Sequence, residues 1–272
     1  MKVELTNTKE EQVRLELILN ALPKLYLLIE RESVRLKLYR KSQDDFTTSV
    51  DLAVQNFLVS LCSRDSIISE EAHYNKTSSK FTWVIDPIDG TVNGLIRRKT
   101  PFFVLINLVK KDDFCLAFRI EPAKKFALLT TKKGIFQISP EGKITQLKIK
   151  LQKKHEILIF KDHVAKLKNK QIKGFQFLEL LLKGQAYQAV WLVKSKEFLC
   201  WDFFNLIFTL EQLGFFVSDR YGKRLLRYTP NGEILDFKGN SLKEFFVCFD
   251  KAKLNTLVKI ATENRAKRVC PL

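Results

Sequence analysis

The stretch Trp83–Gly94, WVIDPIDGTVNG, holds the residues most able to do chemistry. Two carboxylates, Asp86 and Asp89, stand three apart around Pro87, directly after an apolar run that reads as a strand. A strand end is rigid and Pro87 stiffens the turn, so both carboxylates can point at one locus. Gly90 and Thr91 then open a predicted short helix, whose first N–H groups suit a phosphate. Thr91 adds a hydroxyl at the same place. Hard cations such as Mg²⁺ take several oxygen ligands and often share them with a substrate phosphate. Two such ions about 4 Å apart activate a water and stabilise a leaving alkoxide. Taken alone, Asp-Pro followed by Asp-Gly is also ordinary turn chemistry, so the pair needs support from the rest of the chain.

The elements that must position these residues are legible as periodic patterns. Apolar residues recur at helical spacing over 8–38, with Pro23 expected to kink or divide that helix. Residues 49–62 predict a second helix with Thr48 or Ser49 as its cap, which places Asp51 in the first turn. A strand is expected at Ser66–Ser69 and another at Phe81–Ile85, halted at Pro87. Runs at 102–109, 114–120, 126–131 and 135–138 predict an antiparallel meander. Beyond about residue 145 strands and helices alternate: strands at 156–160, 186–193, 215–218 and 245–249, and helices at 175–183, 202–213 and 251–263. Asp202 begins the helix at 202–213. Aspartates at helix starts are favoured as anions by the helix dipole, as hard-metal ligands should be. The expected fold class is α/β, a layered αβαβα sandwich. It is divided into 1–145, the helices and antiparallel sheet carrying the metal motif, and 146–272, an α/β half supplying Asp202 and the substrate wall.

Composition narrows the class. The chain has 272 residues, 46% of them hydrophobic, enough for a large core. No apolar run reaches the roughly 18 residues of a membrane span. The polar start MKVELTNTKEEQ lacks a secretory leader pattern, so a cytoplasmic location and no membrane association are expected. Five widely spaced cysteines without a CxxC argue against a disulfide framework or a Cys-type zinc site. His73, His155 and His163 lack metal-ligand spacing. The net charge of +17 raises the question of nucleic acid. The lysines are scattered, however, and no nucleic-acid-binding signature accompanies them, so an anionic small substrate is the preferred partner.

The order of acidic motifs resembles the inositol monophosphatase superfamily, which includes inositol monophosphatases, 3'(2'),5'-bisphosphate nucleotidases and some fructose-1,6-bisphosphatases. Its signature is an Asp, then Glu-Glu, then Asp-Pro-(Ile/Leu)-Asp-Gly-(Thr/Ser), then Trp-Asp. The four parts occur here as Asp51, Glu70-Glu71, Asp86–Thr91 and Trp201-Asp202, over roughly residues 40–250. The resemblance implies the sugar-phosphatase fold and two or three Mg²⁺ ions. It assigns Glu70, Asp86 and the Ile88 carbonyl to a first ion, and Asp86, Asp89 and Asp202 to a second. It gives Asp51 and Thr91, with Glu70, the activation of water. Gly90, Thr91 and Asp202 would face the substrate, and Glu71 would support the site. Lithium sensitivity and a homodimer belong to the same set of expectations.

The substrate is read from weaker signals. Ser69 before Glu-Glu and DRYGKRLLRYTPNGEIL (219–235) resemble the bacterial bisphosphate nucleotidases, which suggests 3'-phosphoadenosine 5'-phosphate. Thr91-Val92-Asn93 and Cys200-Trp201-Asp202 lie closer to the inositol monophosphatases, the second candidate. The serines expected near 173–184 give way to Gly174 and Phe175 in KGFQFLELLLKG, and the small residues expected after Trp-Asp to Phe203, Phe204 and Asn205. These changes alter the expected pocket wall. They also leave a binding protein with an inactive site as a reading of another class. Lys194 and Lys196 are candidates for a second phosphate, weighed against a solvated strand-end loop.

Overall fold

The computed structural model describes residues 4–41, 46–71, 73–111, 113–161, 164–167, 170–192, 198–236 and 238–266. Two compact units emerge. The first comprises Met1–Leu147, Cys200–Thr209 and Pro230–Gly232; the second comprises Lys148–Leu199, Leu210–Thr229 and Glu233–Leu272. The segment bearing Asp202 clusters with the first unit.

The first unit opens with α1 (Lys9–Val34), capped by Thr8, whose side chain accepts from the Glu11 N–H. After β1 (Leu38–Arg40) and β2 (Phe46–Thr48) comes α2 (Ser49–Cys62), then β3 (Ser66–Ser69), β4 (His73–Asn75) and β5 (Phe81–Asp89). A π-helical turn over Thr91–Ile96 leads to β6 (Phe103–Lys110), β7 (Asp113–Glu121), β8 (Phe126–Thr131), β9 (Gly134–Ile138) and β10 (Ile144–Gln146). The eight strands β3–β10 form one sheet in the order β10-β9-β8-β7-β6-β5-β3-β4, antiparallel throughout except for the β3–β5 pair. Apolar residues of α1 and α2, among them Leu15, Ile18, Leu25, Val54 and Leu58, pack on Trp83, Ile85, Ile106, Leu116 and Phe118 of that sheet.

The opposite face of the sheet meets residues 200–209 of α4 (Cys200–Gln212). Phe114 lies 5.1 Å from both Phe204 and Phe208, centroid to centroid, and the Thr130 and Thr209 hydroxyls meet at 2.9 Å. Phe203, Phe204 and Asn205, expected to alter a pocket wall, are all buried, and Phe204 packs on Phe114 in this layer.

Two further expectations are corrected. Pro23 lies inside α1, which runs unbroken. Pro23 is exposed while Leu22, Leu25 and Tyr26 around it are buried, so packing on both sides outweighs the missing hydrogen bond. Pro23→Ala is expected to raise the melting temperature, by up to about 3 kcal/mol of stability; an unchanged or lower value in a thermal melt would contradict this. Likewise β5 does not stop at Pro87 but continues to Asp89. The β5–β6 register skips between Asp86 and Asp89, which absorbs the residue that lacks an N–H.

A buried ion pair ties α1 to this unit. Arg14 Nε and Nη2 donate to Asp65 Oδ2 and Oδ1 at 2.7 and 2.6 Å. Ser79 Oγ and Trp83 Nε1 donate to the same carboxylate at 2.6 and 3.0 Å. Burial alone would raise the pKa of Asp65, but the Arg14, Ser79 and Trp83 donors outweigh it and hold it below the usual carboxylate range. The folded-state value is therefore depressed, so the contribution to stability is present above the unfolded value of about 3.9 and is lost as pH falls through the folded value. Asp65→Asn should cost about 3 kcal/mol at neutral pH. The gap to wild type should close on acidification below about pH 4 in denaturant titrations. A pH-independent gap would contradict the pairing.

The second unit carries β11 (Gln152–Lys161), β12 (Val164–Leu167), β13 (Lys170–Lys173), α3 (Gly174–Leu182), β14 (Gln185–Leu192), β15 (Phe216–Ser218), β16 (Glu244–Cys248) and α5 (Leu254–Ala266). Its sheet runs β13-β12-β11-β14-β16-β15, with β11 parallel to β14. Phe177 of α3 meets Trp191 edge-on at 5.0 Å, and Trp191 stacks between Phe160 and Phe245. Leu254, Leu257 and Ala261 of α5 pack with Val190, Leu192 and Phe246. The α/β class expected from sequence is thus the class found. The short β1, β2, β4, β10, β12 and β13 were not foreseen.

Candidate active site

The site grows from the start of α2. Thr48 is its N-cap, and its Oγ accepts from the Val50 and Asp51 N–H groups at 3.1 and 3.3 Å. Asp51 answers in a capping box: its Oδ2 accepts from the Thr48 N–H at 2.9 Å and from the Thr48 hydroxyl. One carboxylate oxygen of Asp51 is thereby fixed. The other, Oδ1, lies 2.9 Å from Thr91 Oγ, which lies 2.9 Å from the Ile88 carbonyl oxygen as well. A sequence-distant pair, Asp51 and Thr91, is locked together beside Ile88.

The turn that presents Asp86 and Asp89 is equally specified. Asp86 Oδ1 accepts from the Ile88 N–H at 2.9 Å, an Asx turn inside the β5 irregularity. Gly90 adopts a left-handed conformation (φ 93°), which releases the chain from the strand into the π-helical turn. Four residues on, Gly94 is indispensable for another reason: a β-carbon there would sit 2.7 Å from Phe102 Cβ and 2.9 Å from the Pro101 carbonyl. The expected short helix after Gly90 is present as a single π-type turn.

Glu70 and Glu71 follow β3. Lys41 Nζ lies 2.7 Å from Glu71 Oε1 and 3.7 Å from Glu70 Oε1. Gln55 bridges α2 to this strand end: its Nε2 donates to the Glu71 carbonyl at 2.9 Å, and its Oε1 accepts from Ser69 Oγ at 2.5 Å. Asp202 stands in the first turn of α4. Trp201 before it occupies the space a β-carbon on Gly232 would need, with ring atoms 1.9 Å from that position.

Electrostatics shows which of these groups converge. Burial pushes Asp86 well above its ordinary value, and the negative charges of Glu70, Asp89 and Asp202 push it the same way. Burial pushes Glu70 up to about 7, against a hydrogen bond with Asp86 and the pull of Lys41. Asp89 is raised by burial and lowered by the Arg119 charge. Asp51 is raised by burial, with Glu71 adding to it and its Thr48 and Thr91 donors opposing. Asp86 thus feels the charges of Glu70, Asp89 and Asp202, which come with it from three separate stretches of sequence.

That donor set fits a hard divalent cation: all oxygen and mutually repelling, with Asp86 buried, Glu70 and Asp89 half-buried and Asp202 open to solvent. Among the described residues no group of three or more His, Cys, Asp or Glu is already gathered into a ready-made cage. Glu70 and Asp86 bond to each other, and Asp89 is drawn by Arg119. Glu70, Asp86, Asp89, Asp202 and the Ile88 carbonyl are the groups that would hold Mg²⁺.

Sequence reasoning named Asp51, Glu70, Asp86, Ile88, Asp89, Gly90, Thr91 and Asp202. Of these, Asp51, Ile88 and Thr91 are joined by hydrogen bonds, and Glu70, Asp86, Asp89 and Asp202 by their mutual charge. Lys194 and Lys196 lie outside the described residues, as does His163. Thr48, Lys41, Gln55 and Arg119 were missed as supporting groups. Only Thr48 gave a signal, as a possible helix cap.

Residues 4–192 match the model of the inositol monophosphatase family. A probable inositol 1-monophosphatase of Mycobacterium tuberculosis, ImpA, is 35% identical over 79 residues, 28% of this chain and 28% of that protein. The aligned stretch is thus under a third of that relative. Among solved structures, an IMPase/NADP phosphatase complexed with NADP and Ca²⁺ superposes with a TM-score of 0.61 at 14% identity, over 91% of this chain and 97% of that one. A Staphylococcal IMPase-I complexed with products gives 0.60 at 14% over 91% and 95%. The Thermotoga maritima IMPase gives 0.59 at 18% over 93% and 98%. At these identities the structural likeness speaks for the fold.

Proposed function

The chain belongs to the inositol monophosphatase family, and on that premise we propose that it is a Mg²⁺-dependent phosphomonoesterase. The observation that carries this reading is the turn that holds the fully buried Asp86 and is tied through Thr91 to Asp51, with the charges of Glu70, Asp89 and Asp202 acting on Asp86. No ordinary structural role calls for four acidic groups there, whereas a divalent cation and a phosphate do. Mg²⁺ bound there would supply Lewis-acid charge and lower the pKa of water.

The protein's part is to orient that water and take its proton. Thr91 Oγ accepts a hydrogen bond from the water while its own proton points to Asp51 Oδ1. Asp51 is held for this by the Thr48 N–H and hydroxyl, and burial makes it a better base than a solvated aspartate. Water attacks phosphorus, the P–O ester bond breaks, and the alcohol leaves with a proton. Gly90 and Thr91 face the phosphate in this reading.

On substrate, two residue signals pointed to 3'-phosphoadenosine 5'-phosphate, and each has a structural job. Asp219 and Gly222 make a tight turn, in which Asp219 Oδ1 accepts from the Tyr221 and Lys223 N–H groups at 2.8 and 2.9 Å. Ser69 is bonded to Gln55. These residues therefore discriminate less than their pattern suggested, and inositol 1-phosphate, supported by the family and by ImpA, takes first place. The bisphosphate nucleotide is the second reading. Phosphate release from both, side by side with Mg²⁺ and with added Li⁺, separates them. A preference for inositol 1-phosphate is expected, and a preference for the nucleotide would reverse the order. No release from either, in folded protein that binds Mg²⁺, would favour a ligand-binding protein without turnover.

A further inference from the structure

We propose that Arg119 is a positioning residue of the metal site: its guanidinium, laid on the Phe103 ring beside Asp89, is a fixed positive charge that competes with a cation for that carboxylate. This rests on the metal-site reading above.

The register places the residue. Asp86 on β5 faces Leu105 on β6, Leu105 faces Arg119 on β7, and Arg119 faces Leu128 on β8. Cross-strand partners point to the same side, so Asp86 and Arg119 share one sheet face, two strands or about 10 Å apart at the backbone. An arginine side chain covers much of that gap. Phe103 is the cross-strand partner of Asp89, and the Arg119 guanidinium carbon lies 3.8 Å from the centre of the Phe103 ring. The stack therefore brings the positive charge from β7 toward the strand neighbour of Asp89. The direction of its influence agrees, since Arg119 favours the ionised form of Asp89.

A buried carboxylate needs a counter-charge. In the metal-free protein Arg119 supplies one for Asp89, as Lys41 does for Glu70 and Glu71. When a divalent ion binds, the same guanidinium becomes a like charge at close range. Arg119 thus steadies the metal-free fold and weakens binding at the Asp89 position.

The test is calorimetric titration of Mg²⁺ into full-length protein, with melting temperatures in EDTA and in Mg²⁺. Arg119→Gln should bind Mg²⁺ about tenfold more tightly and melt lower in EDTA, so its Mg²⁺-induced stabilisation grows. Arg119→Lys keeps the charge and should stay within about threefold of wild type. Arg119→Gln that folds only with Mg²⁺ supports the proposal equally. Unchanged or weaker binding in Arg119→Gln overturns it. Should Arg119→Gln fold under neither condition, a tenfold shift in folded Arg119→Lys would overturn it, and wild-type-like binding there would uphold it. Binding is read apart from phosphate release: wild-type protein that binds no Mg²⁺ would overturn the proposed function itself.

Discussion

Asp86→Asn is expected to abolish turnover and at the same time to stabilise the metal-free protein. Asp86 is the residue on which the other three acidic groups bear, and burial already opposes its charge. An amide of the same shape keeps what the fold needs. Its oxygen still accepts from the Ile88 N–H, now 2.9 Å from Asp86 Oδ1, and its nitrogen can donate to Glu70. What it removes is one negative charge from a crowded set, which should raise stability in EDTA by about 1–2 kcal/mol. The same change takes a carboxylate from the proposed ligands of both ions, so Mg²⁺ affinity should fall at least about 100-fold and phosphate release about 10³-fold or more. Melting in EDTA, Mg²⁺ titration and a phosphate assay check the three parts. A variant less stable in EDTA would show that Asp86 is a structural acid; a variant with near-wild-type turnover would remove it from the chemistry.

Thr91→Val should lower turnover by about 10²-fold while leaving the fold and Mg²⁺ binding close to wild type. Thr91 Oγ stands 2.9 Å from both Asp51 Oδ1 and the Ile88 carbonyl oxygen, so one hydroxyl joins the base to the turn that carries the metal ligands. Valine matches its shape and removes only the polar link. Thr91→Ser restores the hydroxyl and should recover most of the rate. If Thr91→Ser were as slow as Thr91→Val, the methyl packing would matter rather than the proton path. The effect should fall on kcat more than on KM, because the water is engaged in the transition state and not in substrate binding.

Much of this was legible in the sequence, and the reason is local. Helix starts at Thr48 and near Asp202, the strands on either side of the DPIDGT turn, and the meander that follows are all set by periodicity and caps within a dozen residues. The acidic residues proposed for the site were named from the family that their order of motifs resembles. What could not be read depended on distant partners. Pro23 looked like a break, since nothing nearby in sequence announces that Leu22, Leu25 and Tyr26 are held by tertiary packing. That Phe204 packs on Phe114, and Thr209 on Thr130, was likewise hidden, because the partners lie some 80–90 positions away in sequence. Arg119 looked like one more basic residue in a chain of net charge +17. Only the register of β6 and β7 sets it across from the carboxylates. The missed supports, Lys41 at Glu71 and Gln55 between Ser69 and Glu71, span 30 and 14–16 residues. No pattern of spacing reaches that far.

The most direct measurement is phosphate release from inositol 1-phosphate by wild-type protein freed of metal with EDTA, as Mg²⁺ is titrated back. The account predicts no release above background without the ion, a rise that saturates with Mg²⁺, and no rise in Asp86→Asn at the same concentrations. Release that persists in EDTA, or that Asp86→Asn matches, would contradict the carboxylate cluster as the seat of the chemistry.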